Sequence, residues 1–253
     1  MNQELIIKGK NYSTGTPIVC VPIMAATAEG IVAEAARLVD LGVEMIEWRV
    51  DAFEAHSDLS AIREVFAQLR PIMTDTVLLF TYRSKPQGGL GEDSQAVIQE
   101  INMTAAECGV ADIIDFEYFA SDKYVKGIRA LQKKGVKVVV SHHDFHETPQ
   151  PEAIRYLLEE EFESGADIVK LAVMPNTIQD VLNLLSETAY FHNEHPDTPL
   201  ITMSMGRLGA ITRYSGETFG SCVTFGAGSK ASAPGQLPQD SLRQILQLIH
   251  EAF

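Results

Sequence analysis

The sequence predicts an α/β protein built as a single (β/α)8 TIM barrel, preceded by a short β-hairpin. Apolar strand-like runs alternate with amphipathic helical stretches almost from end to end, which is typical of βαβ units and a parallel sheet. Eight such runs within 253 residues favour a closed barrel over an open sheet. No low-complexity linker or composition break interrupts the chain, so we expect one domain over residues 1–253, with the hairpin in 1–16.

The first predicted element is the hairpin. The segment LIIKGKNYSTGTP (5–17) contains a short apolar run and a Gly/Ser/Thr turn signal. In a barrel, we expect this hairpin to cap the N-terminal, or bottom, end of the strands.

The predicted barrel strands have Val, Ile and Leu on both faces, as do parallel strands that are buried on both sides. They are PIVCVPIMA (17–25), EMIEWRVD (44–51), TVLLFTYR (76–83), ADIIDFEYF (111–119), VKVVVSHHDF (136–145), ADIVKLAVM (166–174), PLITMSMG (199–206) and SCVTFG (221–226). Amphipathic helices are predicted between them, for example over 27–42, 93–109, 151–165 and 176–194. Gly42, Gly109, Gly135 and Gly165 fall where a left-handed glycine ends a helix.

The composition narrows the classes of function. A net charge of −14, with no Lys/Arg block, disfavours nucleic acid and anionic membrane surfaces as partners. An odd number of widely spaced cysteines, Cys20, Cys108 and Cys222, argues against a disulfide framework or a CxxC metal site. The N-terminus has no long apolar run, and no stretch of 18 apolar residues occurs anywhere. We therefore expect a cytoplasmic protein without a signal peptide or membrane span.

Lys170 is the most informative residue of the chain. It lies in the middle of the apolar run ADIVKLAVM (166–174), although lysine is almost never fully buried unless it is paired. Burial disfavours the ammonium form, and a neutral amine is a nucleophile toward carbonyl carbons. A strand-end lysine can also reach solvent or pair with a carboxylate, so the position alone does not decide the function.

The other strand ends carry further ionisable side chains. In a (β/α)8 barrel these ends form one mouth, where catalytic groups lie. The residues at the successive ends are Glu47, Arg49 and Asp51; Arg83; Asp115 and Glu117; His142, His143 and Asp144; Lys170; Met203 and Met205; and then Arg213 and the Gly-rich loop 226–236. Singly, each has an ordinary structural explanation, such as a solvated rim charge or a core methionine. Their convergence around one buried amine favours a catalytic site.

This set of residues suggests a chemistry. Arg49 and Arg83 could supply the positive charge that helps to keep a lysine unprotonated, and a histidine on the adjacent strand can transfer protons near neutral pH. These groups suit imine formation followed by abstraction of a proton beside the imine carbon. Because guanidinium groups match carboxylates, the substrate is expected to be a ketone or aldehyde that carries an acid.

The chain resembles the type I 3-dehydroquinate dehydratases, the Schiff-base enzymes of the shikimate pathway, which leads to chorismate and the aromatic amino acids. The order and spacing of the motifs together carry the resemblance. The matching stretches are EWRVD (47–51), FTYRS (80–84), DFE (115–117), SHHDF (141–145), VKLAVMP (169–175), ITMSMGRLGAITR (201–213), FGSCVTFG (219–226) and SAPGQ (232–236).

The resemblance implies dehydration of 3-dehydroquinate to 3-dehydroshikimate by a cytoplasmic homodimer, without a cofactor or a metal. It also implies a role for each site residue. Lys170 forms the imine and His143 is the general acid and base; Arg213 binds the substrate carboxylate, with Ser232 and Gln236 nearby; Glu47, Arg49 and Arg83 hold the ring hydroxyls; Asp115 tunes the charge of Lys170; and Met203 and Met205 pack on the ring.

The chain departs from the family pattern at one position. Many members have Glu in the loop after the third strand, where it pairs with the catalytic histidine; here the loop SKPQGG (84–89) has Gln87. An amide can orient an imidazole but cannot stabilise an imidazolium by charge. We therefore expect a lower pKa for His143 than in relatives with Glu. This polar loop, with its two glycines, is also a candidate mobile lid.

The site residues alone leave three alternative functions open. A class I Schiff-base aldolase would also use Lys170, but usually on a phosphorylated substrate. A metal-dependent hydrolase would use His142, His143 and carboxylates, and it would lose activity in chelator. A barrel without activity would act as a binding or assembly module. The role of His142 is open, and we expect it to be structural.

Overall fold

A computed structural model of the chain describes residues 4–13, 15–119, 122–229 and 232–252, and it has a (β/α)8 barrel with an N-terminal hairpin, as the sequence predicts. The hairpin strands are β1 (Ile6–Ile7) and β2 (Lys10–Asn11). The barrel strands are β3 (Ile18–Ile23), β4 (Met45–Arg49), β5 (Val77–Thr81), β6 (Ile113–Glu117), β7 (Lys137–Asp144), β8 (Ile168–Val173), β9 (Leu200–Ser204) and β10 (Val223–Phe225). All neighbouring barrel strands are parallel.

The barrel closes between its last two strands. Here the ladder is reduced to a single bridge between Leu200 and Ser221, beside which the Cys222 N–H donates to the Leu200 carbonyl at 2.8 Å. The Ser221 hydroxyl accepts the Thr202 N–H at 3.1 Å, so a side chain replaces part of the ladder at this seam. The seam therefore satisfies backbone groups that an open sheet edge would expose.

The described helices surround the barrel. They are α1 (Ala28–Asp40), α2 (Leu59–Leu69), α3 (Gln95–Cys108), α4 (Asp122–Gln132), α5 (Pro151–Glu163), α6 (Ile178–Glu194), α7 (Gly216–Phe219) and α8 (Gln239–His250). The four glycines expected beyond helix ends have φ values of 69°, 62°, 90° and 85° in chain order, which confirms that prediction. None of the helices in the described segments is long and apolar enough to cross a membrane.

Alternation along the strands separates two layers of core. Inward side chains such as Cys20, Met45, Leu79 and Val139 fill the lower barrel, and outward side chains pack against the helices. The same alternation directs polar side chains inward at the upper, C-terminal ends. The barrel is thus an apolar plug below and a polar mouth above.

The hairpin covers the bottom of the barrel, as predicted. Ile7 and Tyr12 join the apolar cluster inside the barrel. The ammonium of Lys8 donates to the carbonyls of Met73 at 2.7 Å and Thr76 at 2.9 Å and pairs with Asp112 at 2.8 Å. These contacts tie the hairpin to the loops that enter β5 and β6.

The predicted Gly/Ser/Thr turn of the hairpin is wrong. The strands pair Ile7 with Lys10, so the turn consists of Lys8 and Gly9, whose φ values are 48° and 74°. Two positive φ values match the twist of a two-residue hairpin, in which glycine is favoured and lysine is uncommon. The anchoring of the Lys8 ammonium explains why the chain tolerates that conformation. Residue 14 of the expected turn lies outside the described residues.

Candidate active site

A pocket with about 490 Å³ of empty space opens at the C-terminal ends of the barrel strands. All the predicted site residues line it except Asp115, which lies buried in contact with two of them. The residues that line it are Glu47, Arg49, Arg83, Gln87, His143, Lys170, Met203, Met205, Arg213, Ser232 and Gln236, together with Gly88, Phe145, Ala172, Phe225 and Ala233. Its mixture of charged, polar and apolar side chains is typical of a small-molecule site.

Lys170 lies at the base of the pocket with 3% of its surface exposed. Its Nζ lies 3.1 Å from Asp115 Oδ2 and 4.7 Å from the centre of the Phe225 ring. The carboxylate and the ring face both attract a cation, so they hold the end of the Lys170 side chain in place. The amine is therefore held at one point beside Asp115, whose carboxylate can balance a positive charge on nitrogen.

A buried ionic network fixes that partner. Arg83 donates to Asp115 Oδ2 at 2.7 Å and to Glu117 Oε1 at 2.8 Å, and Ser141 donates its hydroxyl to Asp115 Oδ1 at 2.6 Å. Burial opposes ionisation of Asp115, but Arg83 and Lys170 outweigh it and lower the pKa of this carboxyl. Burial likewise opposes the charge on Arg83, while Asp115 and Glu117 raise the pKa of the guanidinium. Asp115 is thus an ionised carboxylate shared by two cations.

Asp51 joins a second arginine to this network. It follows β4 in a short 3-10 turn, and its two carboxylate oxygens accept Arg49 Nε at 2.8 Å and Arg49 Nη2 at 2.7 Å. They also accept the backbone N–H groups of Arg83 and Leu90. Burial would raise the pKa of Asp51, but these donors, led by Arg49, lower it. The sequence placed Asp51 at a strand end without giving it a role; the structure shows that it joins two strands and the 84–92 loop.

Glu47 and the two methionines form other parts of the wall. Glu47 Oε1 accepts the Thr81 hydroxyl at 2.9 Å, which orients the carboxylate toward the pocket. Met203 and Met205 are buried at the end of β9 and in the residue that follows it. The mouth therefore offers an acceptor on one side and polarisable apolar surface on another.

His143 is positioned by the loop after β5. Gln87 Oε1 accepts both the His143 backbone N–H at 3.0 Å and His143 Nδ1 at 3.2 Å. An amide oxygen can only accept, so Nδ1 carries the proton and Nε2 has its lone pair. Burial, reinforced by Arg83 and Lys170, lowers the pKa of His143 well below its usual value. The ring is thus a neutral base near neutral pH.

His142 points away from this chemistry. Adjacent residues of a strand face opposite sides, so with His143 at the pocket His142 faces the helix layer, where its ring lies edge-on to Tyr118 at 6.4 Å. Burial lowers its pKa. The two histidines therefore cannot ligate one metal ion, and no group of three metal-ligating side chains occurs within residues 4–13, 15–119, 122–229 and 232–252.

Arg213 differs from the other two arginines of the pocket. It is 1% exposed, and within the described residues its guanidinium donates only to backbone carbonyls, those of Pro234 at 2.9 Å and Phe225 at 3.4 Å. No carboxylate of the described residues pairs with it, and its Nε has no partner among them. Burial lowers the pKa of Arg213 from 12.5 to about 10. A buried cation without a counterion is suited to an anionic ligand.

The loop over the pocket is held in place by its own side chains. Gln236 accepts the Ser232 N–H at 2.8 Å and donates to the Ser232 hydroxyl at 2.9 Å. The Gly206 N–H donates to the Pro234 carbonyl at 3.1 Å, and a Cβ on Gly235 would lie 2.4 Å from the Gly206 oxygen. Glycine is therefore required where this loop lies on the turn after β9.

Several pocket residues were not identified from the sequence. Phe225 ends β10 and contacts the amine of Lys170, and Phe145 follows the two histidines. Phe145 packs so closely on Gly88 that a Cβ there would lie 2.2 Å from its ring. Both aromatics occupy strand ends, the same signal that indicated the charged residues, but an apolar residue there is also expected in the core.

The sequence is similar to those of one known protein family. Residues 19–252 match the family model described as Type I 3-dehydroquinase. The chain is 39% identical over 250 residues to the 3-dehydroquinate dehydratase of Klebsiella pneumoniae strain 342, covering 98% of this chain and 100% of that protein. It is 40% identical over 251 residues to the protein of the same name from Listeria monocytogenes serotype 4a, covering 99% of each chain.

Solved structures give a consistent result. The crystal structure of type I 3-dehydroquinate dehydratase from Clostridium difficile, described with covalently modified comenic acid, has a TM-score of 0.95 to this chain. The two sequences are 39% identical, and the alignment covers 100% of each chain. The similarity thus extends over the whole barrel and includes every element of the mouth.

Proposed function

The chain belongs to the type I 3-dehydroquinase family of hydro-lyases, and we propose that it works through an imine on Lys170 with His143 as general acid and base. Its activity is that of a shikimate-pathway dehydratase acting on 3-dehydroquinate. The residues described above favour this assignment over the aldolase, the metal-dependent hydrolase and the binding module.

One observation carries the mechanism: the pocket combines a buried amine, a neutral imidazole and an arginine that has no counterion among the residues that the structure describes. 3-Dehydroquinate offers a ketone, an acidic ring C–H and a carboxylate. Arg49 and Arg83 are occupied by acids of the chain, so Arg213 receives the carboxylate. With the carboxylate on Arg213, the ketone side of the ring is directed toward Lys170.

Imine formation is the first chemical step. The Lys170 ammonium passes a proton to His143, and the free amine attacks the ketone carbon to form a C–N bond. The ketone oxygen takes up one proton from the attacking nitrogen and the proton held by His143 and leaves as water, which gives a protonated imine. Asp115 is the carboxylate nearest Nζ, and it stabilises the cation both before and after this step.

Elimination follows at the neighbouring carbons. His143 Nε2 removes a proton from the carbon beside the imine; the C–H electron pair forms a C=C bond to the imine carbon, and the C=N π pair moves onto nitrogen, which gives an enamine. The nitrogen lone pair then re-forms the C=N bond, and the C=C bond shifts to the next pair of carbons. This expels the hydroxyl on the next carbon, which takes the proton from His143 and leaves as water. Water then hydrolyses the conjugated imine, which releases the product and restores the amine.

The remaining residues bind the ring. Glu47 can accept and Arg49 and Arg83 can donate hydrogen bonds to the ring hydroxyls, while Ser232 and Gln236 lie beside the carboxylate site. Met203 and Met205 pack on the ring face. The covalently modified ligand in the Clostridium difficile relative is in keeping with a nucleophile in this family.

Exposed apolar side chains support a homodimer. Ile178 and Leu182 lie one turn apart on α6, and Leu208 and Ile211 lie in the 3-10 segment after β9; all four are exposed. We propose that this apolar surface is the dimer interface and that the protein acts in the cytoplasm.

Turnover with matched variants tests the mechanism. Product formation is followed by the ultraviolet absorbance of its conjugated ketone, in wild type, Lys170→Met and the exposed-site control Lys133→Met. We expect Lys170→Met to be inactive, with wild-type rates for the control and for wild type in excess chelator. An active Lys170→Met, or loss of wild-type activity in chelator, would contradict the mechanism.

A further inference from the structure

A buried carboxyl group lies behind Lys170, outside the barrel. Glu161 occupies an inward position of α5, in register with Ile154 and Leu158, where the helical pattern calls for an apolar side chain. The two residues before it, Glu159 and Glu160, bond to His195 and Tyr118 respectively, whereas Glu161 is completely buried. An acid at a core position is costly unless it has a specific function.

The contact made by Glu161 is with the main chain of the proposed nucleophile. The Lys170 backbone N–H donates to Glu161 Oε2 at 3.0 Å. The side chain of Lys170 leaves the same residue on the other side of the barrel wall, toward Asp115 at 3.1 Å. Lys170 is therefore held at two points, its amide from outside and its amine from inside.

The bonding of Glu161 indicates a neutral acid. No Lys, Arg or His side chain within the described ranges forms an ion pair with it, and its Oε1 has no hydrogen-bond partner there. Burial raises the pKa of this carboxyl well above its usual value, and the charge of Asp115 acts in the same direction. In the neutral form, its carbonyl-type oxygen accepts the amide hydrogen and the group adds no charge beside the amine.

We propose that Glu161 is a positioning residue for Lys170: as a neutral hydrogen-bond acceptor behind β8, it fixes the backbone from which the reacting amine projects. The inference rests on the proposed function, because it concerns the residue that forms the imine. An imine requires the amine at bonding distance from the ketone carbon, and small displacements of reacting atoms are costly. An ionised group there would favour the ammonium form of Lys170 and oppose attack.

Two variants separate the acceptor from the charge. Glu161→Gln keeps an acceptor oxygen and is always neutral, whereas Glu161→Met has similar length and no acceptor of this kind. Glu187→Met is the control, because Glu187 is also a buried acid of the helix layer but bonds to Arg155. For each protein, kcat, KM and the rate of borohydride-trapped adduct formation on Lys170 are measured across pH, with folding checked by circular dichroism.

The expected result has three parts. Glu161→Met lowers kcat and the trapping rate by about 10- to 100-fold with little change in KM, because binding groups elsewhere are intact. Glu161→Gln and Glu187→Met behave like wild type, and Glu161→Gln leaves the pH dependence of trapping unchanged. A folded Glu161→Met with wild-type kcat, or a Glu161→Gln as impaired as Glu161→Met, would overturn the inference.

A second measurement does not depend on turnover. In protein labelled with ¹⁵N-lysine, the Lys170 amide resonance is assigned by its loss in Lys170→Met. We expect its proton shift to be retained in Glu161→Gln, which decides the matter even if Glu161→Met fails to fold. A large change in Glu161→Gln would overturn the neutral-acceptor role. If wild type gives no adduct on Lys170, the proposed mechanism itself fails, which is a different outcome from a selective defect in the variants.

Discussion

Arg83 and Arg213 are two almost fully buried guanidinium groups in one pocket, and they differ in their partners. Arg83 contacts Asp115 and Glu117, which raise its pKa against the effect of burial. Arg213 contacts carbonyls, and burial lowers its pKa to about 10. The difference shows that burial alone does not assign a role. Arg83 belongs to the permanent electrostatic frame of Lys170, whereas Arg213 awaits a counterion from the substrate.

The largest expected effect comes from removing the paired arginine. Arg83→Met leaves Asp115 and Glu117 buried without their main counterion, so we expect the free energy of unfolding to fall by about 3–5 kcal/mol. Denaturant titration measures it, with the exposed Arg207→Met as a control that we expect to match wild type. Wild-type stability in Arg83→Met would show that the network does not hold the mouth together.

Removing Arg213 should have the opposite result, with a loss of activity and little loss of folding stability. Arg213→Met deletes a buried cation that has no acidic partner within the described ranges, so we expect little loss of folding stability. We expect kcat/KM to fall by about 10- to 150-fold, which corresponds to about 1.5–3 kcal/mol for a charged hydrogen bond to the carboxylate. Steady-state kinetics test the expected change in kcat/KM, and the same denaturant titration tests the expected folding stability. A stable variant with normal KM would remove Arg213 from the carboxylate site.

A smaller effect, on the pH dependence of kcat, should follow from giving His143 an acidic partner of its own, as Arg83 has in Asp115 and Glu117. In the native chain, a low pKa keeps His143 a base, so activity should persist below the usual histidine range as pH falls. Gln87→Glu adds a carboxylate at Nδ1 and stabilises the imidazolium. We expect the acidic limb of kcat to move upward by about one pH unit, or about 1.4 kcal/mol.

The control for this change places the same charge elsewhere. Gln95→Glu adds a carboxylate at an exposed position of α3 and should leave the pH profile of kcat in place. An unmoved or downward-shifted limb in Gln87→Glu would show that Gln87 does not set the protonation of His143.

The sequence was a good guide to the barrel and to the residues of its mouth. Strand and helix alternation, with glycine beyond helix ends, is a local pattern that the fold preserves. Strand ends of a barrel converge by geometry, so Lys170, His143 and Arg213 could be assigned to one site before the structure was known.

The partners of the charged side chains were harder to predict, because they depend on tertiary contacts. The sequence gives no indication that Asp51 uses both oxygens on Arg49, or that Arg213 has no acidic partner in the described part of the chain. The run EEE (159–161) is typical of a solvent-exposed helix face, although the helical period that relates Ile154 and Leu158 places Glu161 inward. The hairpin turn was misplaced because Lys8 is an unusual residue at positive φ, and its anchor lies on distant loops.

In the proposed mechanism, the pocket orients a keto acid so that the Lys170 amine attacks its ketone carbon. The most direct test is to incubate the protein with 3-dehydroquinate, reduce with borohydride, digest and identify the modified peptide by mass spectrometry. We predict a stable adduct on Lys170 in wild type that is absent in Lys170→Met and forms more slowly in Arg213→Met at limiting substrate. A folded wild-type protein that turns over substrate without an adduct on Lys170 would contradict the account.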